Sequence, residues 1–231
     1  MTPEEVLEFK KQVERTDAHT EQECANYLIK DPSVLLSTKY GIITYLNCEQ
    51  TCSAGRLDII VIAEMLEVGG NTRKCAFVWE LKAPQLHLFQ LETNNQACPS
   101  SELFMAENQL LHYHDAIAND GHFRNRWGIV SSDDVKFGGI IIGRDDAIVK
   151  CKEKEITLGR QLAIQALRIR ESIFYKANVI RVLTWDGVIK FLESSTVSHQ
   201  KYTGNPDTTI NVRGSLEITL PALVVSISGE A

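Results

Sequence analysis

Two largely apolar runs between Gly55 and Pro84 predict a buried β-hairpin. Almost every residue from Leu57 to Ala63 is apolar, and the second run, Cys75–Leu81, follows a turn at Gly69-Gly70. Continuous apolar runs of this length, bounded by glycine, are typical of strands that are covered on both faces. We therefore expect the hairpin to lie inside the protein rather than at its surface.

Helical and strand patterns alternate along the rest of the chain. Apolar residues at helical spacing predict helices over residues 3–15, 20–30, 101–119, 157–174 and 186–192. Further β-prone runs predict strands over residues 40–50, 136–144 and 179–183. Residues 85–100 are polar and irregular and predict a long loop directly after the hairpin. The alternation indicates an α/β fold.

The chain divides into three parts on this pattern. Residues 1–19 form an N-terminal helix, residues 20–193 form the main domain, and residues 194–231 form a C-terminal extension. The extension is polar and turn-rich up to Thr209 and strongly β-prone over Leu216–Ser228, where Pro221 interrupts it. We expect this β-prone run to be an edge strand or a strand given to another subunit.

Composition narrows the class of protein. No apolar run is long enough to span a membrane, and the first residues, M-T-P-E-E, do not resemble a signal peptide. Six cysteines occur without a C-x-x-C pair, which predicts reduced cysteines in a cytoplasmic protein. His112 and His114 lack the spacing of a metal site with any other His or Cys.

Charge is distributed unevenly along the chain. The net charge is −6, which argues against a protein that coats nucleic acid by charge alone. Residues 1–121 carry 9 basic and 18 acidic side chains, whereas residues 122–181 carry 12 and 7. This middle block predicts a phosphate-facing surface, or else a solvated helix face. The candidate DNA-binding residues in it are Arg124, Arg126, Arg144, Lys150 and Lys152.

Three charged residues, Asp58, Glu80 and Lys82, interrupt the apolar hairpin. An unpaired charge in such a place is costly, so each of them needs a partner or a function. Folding the hairpin about Gly69-Gly70 sets Asp58 opposite Lys82 and diagonal to Glu80, with Glu80 and Lys82 on one face. Two carboxylates at one point suit Mg²⁺, and an adjacent lysine suits a phosphate or an attacking water. An exposed cross-strand ion pair is the alternative.

Asp58 followed by Glu80-Leu81-Lys82 resembles the core of the PD-(D/E)XK nuclease superfamily, with Leu57 where that name has proline. Over residues 20–193 the resemblance narrows to the nuclease domain of the Shedu antiphage defence proteins. The pieces that carry it, in order, are Y-L-I-K-D-P-S-V-L-L, G-R-L-D-I-I, W-E-L-K-A-P, E-N-Q-L-L-H-Y, G-I-I-I-G-R and L-T-W-D-G-V-I-K-F-L.

This resemblance implies a restriction-endonuclease-like core, with a central mixed β-sheet flanked by helices, and a role for each matched residue. Asp58, Glu80 and the main-chain carbonyl of Leu81 would bind Mg²⁺, for which Mn²⁺ would substitute, and Lys82 would be catalytic. Gln109 would assist the reaction. Glu21 lies on the inward face of its helix and would be an additional ligand.

The function implied is that of a metal-dependent DNA endonuclease of bacterial antiphage defence, cytoplasmic and homo-oligomeric. An accessory protein would bind through the N-terminal helix or the C-terminal extension. Proteins of this kind often carry a separate N-terminal sensing region, for which the sequence offers only its first helix. Two alternatives remain open, which are a catalytically silent nuclease-like module for DNA binding or assembly, and a nuclease specific for RNA or for nucleic-acid structure.

Overall fold

The computed structural model describes residues 1–17, 20–36, 41–52 and 54–202. Its helices are α1 (Pro3–Glu14), α2 (Thr20–Lys30), α3 (Ser101–Asn119), α4 (Gly121–Trp127), α5 (Ile156–Arg170) and α6 (Trp185–Tyr202). Its strands are β1 (Gly41–Cys52), β2 (Gly55–Leu66), β3 (Thr72–Leu81), β4 (Phe89–Leu91), β5 (Ala97–Pro99), β6 (Val135–Ile141), β7 (Val149–Lys150) and β8 (Arg181–Leu183).

A five-stranded mixed sheet forms the centre of the protein, in the order β1-β2-β3-β6-β8. The first three strands form an antiparallel meander, in which β2 and β3 are the predicted hairpin. Strands β3, β6 and β8 are parallel, and α3 lies in the connection from β3 to β6. The predicted α/β architecture, a mixed sheet flanked by helices, is confirmed.

Each face of this sheet has its own apolar core. Helices α3, α4 and α5 cover one face, which holds Ile60, Ile62 and Val78. Helices α1, α2 and α6 cover the other face, which holds Ile59, Trp79 and residues from all three helices. Because both faces are covered, the residues of β2 from Ile59 to Ala63 are buried whichever way they point.

The N-terminal helix belongs to the second of these cores. Val6, Phe9 and Val13 of α1 are buried, and the ring of Phe9 stacks on Tyr27 and meets Trp185 edge-on. Thr2 caps the helix by accepting a hydrogen bond from the amide of Glu5. The apolar stripe predicted for this helix therefore packs against α2 and α6.

Several predicted elements differ from those observed. The polar stretch 85–100, predicted as a loop, contains β4 and β5, which form a second sheet with β7 in the order β5-β4-β7. Helix α4 was not predicted, and a π-helical turn at Glu171–Tyr175 follows α5. The helix predicted to end at Leu192 continues to Tyr202, so the first residues of the extension are helical rather than turn-rich. The β-prone run Leu216–Ser228 lies outside the described residues.

Two predictions from composition can be compared with the structure. Within the described ranges, none of the helices is long and apolar enough to cross a membrane. The cysteines at 24, 48, 52, 75, 98 and 151 are all free thiols, as expected from their spacing.

Candidate active site

The hairpin brings Asp58, Glu80 and Lys82 together at one end of strands β2 and β3. Ile59 pairs with Trp79 and Ile60 with Val78, so the register places Asp58 opposite Glu80 and diagonal to Lys82. The predicted register, with Asp58 opposite Lys82, was wrong by two residues. A two-residue difference leaves every side chain on its predicted face, because side chains alternate along a strand.

Hydrogen bonds fix the position of each of these groups. The Oδ2 atom of Asp58 accepts a bond of 2.8 Å from the amide of Leu81. The ammonium of Lys82 donates to Glu80 Oε1 at 2.6 Å. The main chain of Lys82 is held on both sides, since its amide donates to Ile141 of β6 and its carbonyl accepts from the indole of Trp185.

The pair formed by Glu80 and Lys82 is buried. The Glu80 side chain is 1% exposed and the Lys82 side chain 15% exposed, which excludes the alternative of a surface cross-strand ion pair. Glu80 Oε2 is buried without a hydrogen-bond partner among the described residues, and so is Gln109 Oε1. A buried acceptor without a donor is unfavourable, so the site leaves lone pairs open for a cation or a donor.

Glu21 reaches the same region from the first turn of α2. Cys24, Ala25 and Leu28 of this helix are buried, and Glu21 lies half-buried on the same side. The charges of Asp58 and Lys82 both act on its carboxylate. Glu21 and Asp58 both line a small cleft between α2 and the strands β1, β2 and β3.

Helix α3 adds Gln109 and Tyr113 on the other side of the sheet. The two residues are one helical turn apart and lie on the same side of α3. The negative charges of Glu80 and Asp58 act on Tyr113 and, together with its burial, raise the pKa of its phenol. Tyr113 was not predicted as a site residue, although its spacing of four from Gln109 was a signal for it.

The carboxyl groups of the site lie close enough to change one another's pKa values. Burial and then the charge of Asp58 raise the pKa of Glu80 to about 8. Burial raises the pKa of Asp58, and burial together with Asp58 raises that of Glu21. Burial alone would lower the pKa of Lys82, but the facing carboxylates, Glu80 first, outweigh it and raise that pKa. Three carboxyls against one ammonium leave an excess of negative charge that a divalent cation would neutralise.

Asp58 and Glu80 are the centre of the predicted metal site. Among the described residues, no three His, Cys, Asp or Glu side chains are arranged as a ready-made metal site. Glu21 influences Asp58 through its charge rather than as a third member of one cluster. The amide of Leu81 donates to Asp58, and its carbonyl remains the predicted ligand. Asp58 and Glu80, with the open Oε2 atom, still provide the hard oxygen donors that Mg²⁺ prefers.

The candidate DNA-binding residues lie in three separate regions. Arg124 and Arg126 are on α4, near the hairpin turn, where a Cβ added to Gly128 would lie 3.5 Å from the side chain of Lys74. Lys74 is six residues along β3 from Glu80, a distance of about 20 Å at the rise of a strand.

The other three basic residues follow β6. Arg144 comes shortly after the end of this strand and forms ion pairs with Asp146 and Asp186. Lys150 is on β7 and Lys152 follows it, in the small sheet beyond the carboxyl ends of β3 and β6.

Comparison with models of known protein families gave no match, and comparison with curated protein sequences gave none either. The chain is therefore described by its own residues: an α/β protein whose mixed sheet holds a buried carboxylate–carboxylate–lysine site.

Proposed function

We propose that this protein is a metal-dependent nuclease of the PD-(D/E)XK type, most similar to the Shedu nuclease domain, that hydrolyses phosphodiester bonds in DNA. The observation that carries the proposal is the buried group of Asp58, Glu80 and Lys82, in which one oxygen of Glu80 has no donor among the described residues. A purely structural ion pair would not need the second carboxylate beside it, because the extra charge weakens the fold.

Asp58 and Glu80 would hold Mg²⁺, with Leu81 and Glu21 next to them. When bound, the metal supplies Lewis-acid polarisation of the scissile phosphate and lowers the pKa of water. The other catalytic roles belong to residues of the chain. Lys82 is fixed by β6 and α6, so its ammonium is positioned to stabilise the negative charge that develops on the phosphate.

Gln109 would position the attacking water. Its Oε1 atom is buried and has no hydrogen-bond partner among the described residues, so it is an open acceptor for an O–H group. The water oxygen forms a new bond to phosphorus while the bond to the leaving oxygen of the strand breaks, and a proton passes to that leaving oxygen. Bacterial antiphage defence, in the cytoplasm and as a homo-oligomer, is the biological setting that the resemblance supports.

The test is cleavage of a substrate panel by the full chain, comprising supercoiled, linear and single-stranded DNA and an RNA of the same sequence. We expect DNA cleavage with Mg²⁺ or Mn²⁺ and none in excess chelator. Lys82→Met keeps the aliphatic stem and should reduce the rate by a factor of about 10² to 10³. Lys11→Met, an exposed lysine on α1, is the matched control and should cut at the parent's rate.

Four outcomes would contradict the proposal as stated. Full activity in chelator would show that cleavage needs no metal. Cleavage by Lys82→Met at the parent's rate would show that the proposed site does not carry out the reaction. Binding of DNA and Mg²⁺ without cleavage of any substrate would favour the catalytically silent module. Cleavage of RNA alone would show that the site is catalytic but acts on RNA rather than on DNA.

A further inference from the structure

Helix α1 reaches the candidate active site through a buried tryptophan. The ring of Phe9 meets the indole of Trp185 edge-on, with the ring centroids 6.0 Å apart, and both side chains are fully buried. The N–H of the same indole donates a hydrogen bond of 2.7 Å to the main-chain carbonyl of Lys82. A single side chain therefore connects the N-terminal helix with the residue that carries the ammonium of the site.

The direction of the indole decides whether this hydrogen bond forms. Trp185 is the first residue of α6, and its amide donates to the carbonyl of Gly143, just after β6. The main chain at Trp185 is thus anchored, whereas the ring is held by the side chains that pack around it. Hydrogen bonds weaken steeply when the donor tilts away from the acceptor, so the contacts of the ring act directly on the bond to Lys82.

The docking of α1 holds Phe9 in turn. Phe9 stacks on Tyr27 of α2 with the ring centroids 4.7 Å apart, and Val6 and Val13 of α1 are buried in the same core. Close-packed side chains have few alternative positions. As long as α1 is docked, Phe9 is therefore held against Trp185.

The end of α1 makes a second contact beside the site. Arg15, which follows the last turn of α1, accepts a hydrogen bond at its carbonyl from the side chain of Gln85, three residues after Lys82. Its guanidinium pairs at 3.0 Å with Glu23 of α2, two residues after Glu21. Both side chains of this ion pair are more than 40% exposed, so the pair contributes little. The buried aromatic contact is the stronger link.

We propose that helix α1 is a positioning element of the active site, which fixes the main chain of Lys82 through Phe9 and Trp185. Its consequence for cleavage rests on the proposed function, whereas the placement of Lys82 does not. Undocking of α1 would loosen Lys82 without removing any group of the site, so that docking of the N-terminal helix controls the activity. Phe9 and Trp185 act through Lys82 and are positioning rather than catalytic residues.

The hydrogen bond is tested by replacing Trp185 with 3-benzothienylalanine, which has nearly the same shape but no N–H group. The measured quantity is the rate at which acetic anhydride acetylates Lys82 in the metal-free full chain, followed by peptide mass spectrometry. In the parent this amine is 15% exposed and paired with Glu80, which slows the reaction. We expect acetylation to be about three- to tenfold faster in the variant, the factor that corresponds to the loss of one hydrogen bond.

The matched control is the same replacement at Trp127, whose indole N–H is buried without a hydrogen-bond partner among the described residues. It should leave the acetylation rate of Lys82 unchanged, and the exposed Lys11 provides the reference rate in every sample. An unchanged rate in the Trp185 variant, or an equal acceleration in the Trp127 variant, would overturn the proposal.

The variant Phe9→Met tests the part played by α1. Methionine adapts to irregular space in a core, so the variant should fold, which a thermal melt checks. It should accelerate the acetylation of Lys82, and it should add little to the Trp185 replacement, because both changes act on one bond. Val61→Ala, a buried change in the same core but on β2, should have no effect. No acceleration in Phe9→Met, additive effects in the double variant, or acceleration in Val61→Ala would overturn the role of α1.

Cleavage assays connect the placement of Lys82 with the reaction. With Mg²⁺, Phe9→Met and the Trp185 variant should both show a lower kcat at nearly unchanged KM, because they change the position of Lys82 and not the binding of DNA. An unchanged kcat beside faster acetylation would overturn the role of α1 in catalysis. A parent that cleaves no DNA would contradict the proposed function, and acetylation would still decide whether α1 positions Lys82.

Discussion

At the scale of single residues, Glu80 is the most perturbed group of the site. It is almost fully buried, faces Asp58, and accepts a hydrogen bond from Lys82. Burial and the charge of Asp58 raise its pKa from 4.5 to about 8, so the folded protein binds a proton at Glu80 that the unfolded chain releases. The metal-free site is therefore a source of instability at neutral and alkaline pH.

The pH dependence of stability follows from the direction of this shift. Below about pH 4.5 Glu80 is protonated in both the folded and the unfolded state, so no charge is buried there. Between that pH and about 8, the folded state holds a proton at Glu80 that the unfolded chain has released. The free energy of unfolding therefore falls across this range, by on the order of a few kcal/mol. The raised pKa values of Asp58 and Glu21 act in the same direction.

We predict that Glu80→Gln flattens this decline. In chelator, the variant and the parent should melt at similar temperatures at pH 5, whereas at pH 8 the variant should melt several degrees higher, because it carries no charge to bury. The measurement is a thermal melt across this pH range, with the exposed Glu14→Gln as the control. Parallel curves for Glu80→Gln and the parent would show that Glu80 is ionised in the fold throughout.

The structure also changes the interpretation of Lys82. From the sequence alone, Lys82 was a charge in an apolar hairpin that needed either a partner or a function. The structure pairs it with Glu80 at 2.6 Å, and its removal leaves that carboxyl without a donor. Loss of Lys82 should therefore cost stability mainly at high pH, where Glu80 has no proton.

At the scale of elements, α1 is held by a few large contacts. Phe9 is fully buried and packs on Tyr27 and Trp185, whereas Leu7 on the same helix is 54% exposed. We predict that Phe9→Ala lowers the free energy of unfolding by about 3–5 kcal/mol, and that Leu7→Ala changes it by less than about 1 kcal/mol. Equal effects in urea-induced unfolding would mean that α1 does not pack on the second core.

The basic segments make a second prediction at this scale. Lys150 and Lys152 lie just beyond the strand ends that carry Lys82, whereas Arg124 and Arg126 lie near the hairpin turn and interact with Val130 and the ring of Trp127. Replacing both lysines by alanine should weaken DNA binding and reduce the slope of log K against log salt by about 2. The same change at both arginines should leave the slope nearly unchanged. The opposite result would place the DNA along α4.

At the scale of the whole molecule, metal binding should be visible in global stability. The first 121 residues carry an excess of nine acidic side chains, and Asp58, Glu80 and Glu21 are concentrated in one region of them. Mg²⁺ at about ten times its dissociation constant should stabilise the parent by about 1.4 kcal/mol.

Asp58→Asn should not gain this stabilisation, because it lacks one of the two closest carboxylates. Glu64→Gln, six residues along the same strand, should gain it in full. The measurement is a thermal melt with Mg²⁺ and with chelator. A parent that melts at the same temperature in both would contradict the metal site whether or not the protein cleaves DNA.

The sequence by itself determined the elements and the residues of the site. Runs of apolar residues without alternation identified β2 and β3, because a strand covered on both faces has no polar side. The charges at Asp58, Glu80 and Lys82 stood out against this background, and helical periodicity placed Glu21 on an inward face. Gln109 was indicated by the resemblance, and Tyr113 was not predicted. These signals are local, because each depends on residues that are close in the sequence, within one or two helical turns or within one or two strands.

Only the tertiary structure decided how these elements meet. A register difference of two residues keeps every face and is invisible in the hydrophobic pattern, so the facing of Asp58 and Glu80 required the observed pairing. The small sheet joins β4 and β7, which are more than fifty residues apart, and short strands with polar neighbours give no local signal for such pairing. Whether Lys82 has a partner, and where the five basic residues lie relative to it, depend on distances between elements, which no periodicity in a single sequence encodes.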